Sequence, residues 1–229
     1  MEIILTKKPQ KPVIIQGFPG FGLIGTIATE FLIEHLKAEL IGEFVYDELP
    51  PTAAIHKSEL IKPMAVYYAE KHNLVILHTI LNVSGAEWLI GNKIIEMATD
   101  LDAKEVICIE GVASPPDAKN AKIFSFGNKR LAELGAEPLK ESIIMGVTGA
   151  ILLRFKEASC IFAETHSQLP DSMAAAQVIK ILDKYLSLTV DYAPLVEQAK
   201  EFEQKIKGIV QKANKTAEDK KNLEMSYLG

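Results

Sequence analysis

The stretch from Val13 to Leu36 constrains the fold of this chain most. The apolar run Val13-Ile14-Ile15 enters Gly17-Phe18-Pro19-Gly20-Phe21-Gly22-Leu23-Ile24-Gly25. Ile24, Ile27, Ala28, Phe31, Leu32 and Leu36 then recur at helical spacing. A buried strand therefore passes through a glycine-rich loop into an amphipathic helix. Four glycines within nine residues permit positive φ and close backbone approach, while Pro19 fixes one φ and supplies no N–H.

Gly20, Gly22 and Gly25 spell G-x-G-x-x-G, which in a dinucleotide-binding unit sets a pyrophosphate on a helix N-terminus. Glu43 lies about 20 residues further on, where a ribose-binding acid belongs. The chain then runs through Gly42-Glu43-Phe44-Val45-Tyr46-Asp47 to Pro50-Pro51 instead of into a second crossover helix. The expected role of the loop is a tight strand-to-helix turn packed on its neighbours, with no bound cofactor.

With 229 residues and 48% apolar content, the chain can bury one large α/β core. The net charge of -5 and the scarcity of arginine (only Arg130 and Arg154) argue against a general nucleic-acid binder. Cys108 and Cys160 sit in apolar runs and read as small core residues, not as metal ligands or a disulfide. No signal peptide and no membrane span are expected, so the reading is a soluble, cytoplasmic protein.

Short β-rich runs are expected at Glu2–Thr6, Leu40–Tyr46, Glu105–Gly111, Lys122–Phe126, Ser142–Met145 and Ser159–Thr165. Pro63–Ala69 and Leu74–Leu81 form an antiparallel hairpin. Ser84 and Glu87 have capping-box spacing before a helix whose buried face is Ile90, Ile94, Met97 and Leu101. Asn128 caps a short helix ended by Gly135. Gly146-Val147-Thr148-Gly149 is read as a second strand–glycine turn–helix device leading to Ala150–Phe155. Asp171 or Ser172 caps the helix carrying Ala175, Val178, Ile179 and Leu182. Strands alternating with crossover helices predict a three-layer α/β/α sandwich with a mixed, mostly parallel sheet. Residues 1–190 form this core, and residues 191–229 form a C-terminal helix and mobile tail.

In that extension Leu195, Ala199, Phe202, Ile206, Ile209 and Ala213 make a heptad-like seam. The seam either docks on its own domain or pairs with the same helix of another subunit, with Leu195, Phe202, Ile206 and Ile209 as interface residues. The charged segment beyond it ends in Met225-Ser226-Tyr227-Leu228-Gly229.

For catalysis the best cluster is Glu164, His166, Ser167 and Asp171, just past the carboxyl end of a strand, where open α/β sheets bind ligands. Against it, Ser167 and Asp171 suit helix capping and His166 suits a loop. Gly20 and Gly22 with Glu164 and His166 are the candidate ligand pocket. His78 reads as a core histidine, Asp117 as a turn residue, and Trp88 as a core residue or interface anchor. Neither a Walker A pattern nor a set of magnesium-binding acids with a basic clamp can be found, so no enzyme is expected.

Val13–Leu36, Gly146-Val147-Thr148-Gly149, and Glu164-Thr165-His166 through Asp171 to Asp191-Tyr192 together resemble the archaeal branch of the proteasome assembly chaperone family. The similarity runs from the N-terminus to about Leu195. It implies an α/β/α sandwich of the phosphorylase/hydrolase-like kind and a homo-oligomer, tetramer or pentamer. It also implies proteasome core-particle α-subunits as partners, reached partly through a C-terminal hydrophobic–tyrosine–any-residue motif. Here Met225, Tyr227, Leu228 and Gly229 would be the partner-binding residues. Tyr227 is third from the end and follows Ser226, one step out of that register, and Leu228 offers a replacement apolar anchor. The runner-up is a small-molecule or nucleotide-binding enzyme, phosphorylase-like or ATP-grasp-like, using the 17–25 loop.

Overall fold

A computed structural model describes residues 1–56, 58–113, 122–165 and 169–191, together with Glu197 and Glu201. The described residues build a sheet of nine strands. In chain order these are β1 (Glu2–Leu5), β2 (Val13–Gly17), β3 (Glu39–Val45), β6 (Met64–Ala69), β7 (Leu74–Thr79), β8 (Glu105–Ala113), β9 (Ile123–Phe126), β10 (Glu137–Pro138) and β11 (Ala158–Thr165). Between β3 and β6 a small separate ribbon pairs β4 (Ala54–His56) with β5 (Glu59–Ile61). The helices are α1 (Ile24–His35), α2 (Glu87–Asp100), α3 (Lys129–Glu133), α4 (Gly146–Leu152) and α5 (Ser172–Leu186).

Across the sheet the order is β1-β3-β6-β7-β2-β8-β11-β9-β10. Strands β7, β2, β8 and β11 are mutually parallel and form the centre. Antiparallel partners extend it on both sides: β1, β3 and β6 beyond β7, and β9 beyond β11. The central strands are nearly continuous apolar runs, as a sheet covered on both faces requires. Every residue of β7 and β11 is buried.

Strand periodicity divides these side chains between two cores. Ile14, Val75, Leu77, Val106, Cys108, Cys160 and Phe162 pack with α2 and α4. Ile15, Ile76, Ile107, Ile109 and Ile161 pack with α1 and α5. Helices thus cover both faces of a mixed sheet, the α/β arrangement that the alternating pattern predicts.

Three local expectations need correction. The Ser142–Met145 segment is not a strand. Its Ile143 and Met145 are 88% and 79% exposed, and the short strand of that region is β10. Secondly, α4 begins at Gly146 and contains Gly149, where a helix from Ala150 was expected. Gly149 stays small because a Cβ there would stand 2.8 Å from Ile144 O, so the incoming chain lies directly on the helix. Thirdly, Ser84 does not cap α2. Its hydroxyl donates to Asn82, and Ala86 is the cap residue, while Glu87 Oε2 accepts from Gly85 N–H at 2.8 Å.

Candidate functional site

The geometry of the glycine loop follows from a difference in strand length. β2 leaves the sheet after Gly17, whereas β8 continues to Ala113. The loop after β2 therefore crosses the last residues of β8 at backbone contact. A Cβ at Gly111 would overlap Phe21 O, and one at Gly17 would overlap Gly25 O. A Cβ at Gly25 would stand 2.7 Å from Ile109 O. Gly22, at φ +68, lies against Thr165, and its carbonyl accepts from Asp171 N–H at 2.9 Å. Gly22, Ile24, Gly25 and Thr26 are all buried, so the start of α1 is enclosed by β8, β11 and the α5 cap. The glycines serve close packing, the role read from the sequence.

On the other face of β8 the same length difference opens a cavity of about 360 Å³. Phe18, Gly20 and Phe21 of the loop form one wall. Glu110 and Phe162 form the floor, Ser84 and Glu87 come from the start of α2, and Ile143 to Val147 close the opposite side. Glu110 is the one ionisable group of the β8 floor. Its Oε1 accepts a 2.6 Å hydrogen bond from the Thr148 hydroxyl of α4. Burial pushes the carboxyl up to about 7, although that hydrogen bond pulls the other way.

Thr148 Oγ1 also lies 3.2 Å from Gln16 Oε1, but one hydroxyl proton serves one acceptor, and the short contact to the acid takes it. Gln16 is fully buried, and its Nε2 has no partner. With the amide turned over, Nε2 donates to Thr148 Oγ1, giving a relay Gln16–Thr148–Glu110. Two residues before Glu110 on the same face, Cys108 is held well above its ordinary thiol range by a hydrogen bond with neighbouring Cys160 and by burial. Such a thiol is a packing group, not a nucleophile.

The residues singled out by sequence fall in different places. Gly20 borders the cavity, with a Cβ there overlapping Glu110 Oε2. Gly22 packs on Thr165 as described. Glu164 is buried, accepts from Lys122 N–H at 3.0 Å and donates its own N–H to Lys122 O at 2.9 Å. It fastens the chain entering β9 to β11 and does not border the cavity. Asp171 caps α5 through Ala174 N–H and also accepts from Thr165 Oγ1 at 2.8 Å. His166 and Ser167, Asp117, the seam residues Leu195, Phe202, Ile206 and Ile209, and the tail residues Met225, Tyr227, Leu228 and Gly229 lie outside the described residues. His78 is a core histidine, 2.9 Å from Thr29 Oγ1 and 3.0 Å from Glu30 Oε2. Trp88 is half-exposed, with the Arg154 guanidinium 4.3 Å above its ring.

Sequence reasoning missed Glu110. The signal was present: one acid in Val106-Ile107-Cys108-Ile109-Glu110-Gly111, on the Cys108 face of a buried strand. It also missed a second, partly buried acid at the opposite end of β8. Glu105 accepts from Ser159 Oγ, Asn128 Nδ2 and Tyr185 O–H at 2.7 to 2.8 Å. Burial, then the bond to Glu105, pushes the Tyr185 phenol up to about 12. That cluster is saturated and ties α3 and α5 to the sheet. Among the described residues no group of three or more His, Cys, Asp or Glu side chains is placed to hold a metal, and no helix is long and apolar enough to cross a membrane.

Comparison with known proteins places this geometry. The PAC2 family model matches residues 14–210. An uncharacterized protein of Methanocaldococcus jannaschii is 26% identical over 88% of this chain and 87% of its own length. Among solved structures, Pyrococcus furiosus PbaA, described as an archaeal homolog of proteasome-assembly chaperone, aligns with a TM-score of 0.83 and 26% identity, covering 94% of this chain and 99% of its own. Pyrococcus furiosus PbaB, described as an archaeal proteasome activator, shares the fold at 24% identity and a TM-score of 0.72, over 90% of this chain and 97% of its own. With the match running from β2 through α5 and beyond, the chain belongs to the PAC2 family.

Proposed function

We propose that this protein is a non-enzymatic proteasome assembly chaperone or proteasome-binding adaptor. It is a homo-oligomer that engages core-particle α-subunits, partly through its C-terminal tails. The observation that carries this reading is the near full-length likeness to PbaA at 26% identity. The site chemistry agrees with it. The buried Cys108 thiol is held protonated, the Thr148 hydroxyl is committed to Glu110, and Glu164 and Asp171 are committed to backbone and capping bonds.

The mechanism is multivalent. Several tails carried by one oligomer meet repeated sites on a ring, so weak individual contacts gain avidity when tail length permits simultaneous docking. Tyr227 is the aromatic anchor, a residue type that dominates interface energetics. Oligomers of this kind favour closed symmetry, and the 195–209 seam is the proposed self-contact.

Capture of purified α-subunits by the full chain, by a chain lacking residues 224–229 and by Tyr227→Ala tests the reading. Tyr227→Ala is expected to weaken capture by roughly thirtyfold, the effect of losing about 2 kcal/mol at a hot spot, with the oligomer mass unchanged. Undiminished capture by both variants would move the contact to the globular body. No capture by any form would overturn the proteasome reading. Deleting Leu228 restores a next-to-last tyrosine and is expected to strengthen capture. Weaker capture would identify Leu228 as an anchor in its own right.

A further inference from the structure

We infer that the cavity over Glu110 binds a primary ammonium group carried on a short aliphatic body, with Glu110 as its counter-ion and Phe18, Phe21, Met145 and Phe162 around its stem. This site is independent of the tail contact proposed above.

The shape comes first. A cavity of about 360 Å³ lies at the lower end of the range for small-molecule sites, roughly 300–1,000 Å³. It accommodates an amino-acid-sized body and is small for a dinucleotide. Its position, where β2 has turned away and parallel β8 runs on, is where open α/β sheets bind ligands.

Charge then selects the ligand. Among the described residues, the ionisable groups on its lining are Glu110 and Glu87, and no lysine, arginine or histidine borders it. Glu87 already accepts from Gly85 N–H at 2.8 Å. Glu110 is different. Oε1 takes the Thr148 hydroxyl, while among the described residues nothing donates to Oε2. A carboxylate half withdrawn from water, with one oxygen unserved on a cavity floor, lacks a cation. Among the described residues an anion would meet two acids and no counter-charge. One unserved oxygen suits the point charge of an ammonium better than the flat fork of a guanidinium, which takes both carboxylate oxygens. The remaining lining, mostly Phe, Val, Ile and Met with glycine backbone, suits the methylenes of an alkyl stem.

The same ammonium can come from a free alkylamine or from a lysine side chain of a partner protein. The full chain is titrated by calorimetry with n-butylammonium, with n-butanol as the uncharged body, and with a short acetylated and amidated peptide containing one lysine. Saturable binding of n-butylammonium, at least tenfold tighter than that of n-butanol, is expected. Glu110→Gln should reduce it at least tenfold, while Glu133→Gln on α3, away from the cavity, leaves it within about twofold.

A second readout needs no variant. The ligand pairs with the ionised acid, and Glu110 titrates near 7, so affinity should rise roughly tenfold from about pH 6 to about pH 8. The groups around the carboxyl are Thr148 of α4, Glu87 of α2, and Cys108 and Cys160 of the sheet. Thr148 does not titrate, and the Cys108 thiol is held well above its ordinary range. Peptide that competes with n-butylammonium identifies a lysine side chain as an accepted source, whereas peptide excluded from a site that takes the free amine identifies a small molecule. Absence of saturable amine binding, equal binding of amine and alcohol, or binding indifferent to Glu110→Gln and to pH overturns the inference.

Discussion

Glu110 shows how one residue can oppose the stability of the fold that contains it. Its folded pKa of about 7 lies above the ordinary carboxylate value of 4.5, so the folded state holds the proton more tightly. The favourable contribution is complete below about pH 4.5 and is lost as pH rises through about 7, amounting to about 3 kcal/mol at the order-of-magnitude level. Glu110→Gln keeps an acceptor for Thr148 and removes the titration. Relative to the parent, the variant should gain stability steadily from about pH 5 to about pH 8, read from the difference in urea midpoints. A constant difference across that range would place Glu110 in water. Gly111→Ala, by contrast, should destabilise at every pH by about 1–3 kcal/mol or more, because its Cβ would overlap Phe21 O and backbone, not a pliable side chain, must give way.

At the scale of elements, the caps decide where helices begin, and they can be tested singly. Asp171→Ala removes the cap on Ala174 N–H and the bond from Thr165, and should cost about 1–2 kcal/mol by thermal or chemical unfolding. Asp171 was legible because an aspartate directly before an apolar 3.6-residue period has few other uses. The strands β2, β7, β8 and β11 were legible for a similar reason, since continuous β-branched runs bounded by turn residues fit a sheet covered on both faces. Ile143-Ile144 misled because β-branched residues favour strands whether or not a partner strand exists. There the chain instead lies on Gly149, and Ile143 faces solvent. Ser84 misled because Asn82, two residues earlier, offers its hydroxyl a nearer acceptor. Glu164 and Asp171 lie at the same end of the sheet as the cavity. What spacing could not reveal is that Lys122 backbone and the α5 cap claim these two acids separately, leaving Glu110 on the cavity.

The whole molecule combines a core closed on both faces of its sheet with large apolar side chains left outside it. Ile143, Met145 and Leu153 are well exposed, and Trp88 is half-exposed beneath Arg154. A residue that buries little in the folded chain contributes little to its unfolding. Met145 is the N-cap residue of α4, a position that favours Asp, so Met145→Asp should leave the folding stability of the isolated chain unchanged or raise it by up to about 1 kcal/mol. The same change in the oligomer, weighed by light scattering, shows whether this side takes part in self-contact. An unchanged mass, together with dissociation by Phe202→Asp, would assign self-contact to the C-terminal seam. Loss of the assembly with Met145→Asp would assign it to the α4 side.

The loop that crosses β8 has a consequence for how relatives of this chain can diverge. The nearest contacts at Gly17, Gly25 and Gly111 are main-chain oxygens, so shortening a side chain there would not make room. One wall of the cavity is in that sense cast and the other is machined. The backbone of that wall is fixed, so backbone adjustments of pocket width come from the segment Ile143 to Val147 and from the start of α2. Those are also the parts that carry Ile143, Met145 and Trp88 to the outer surface. Substitutions selected for what the molecule touches outside will therefore alter what fits inside, and the two specificities are inherited together.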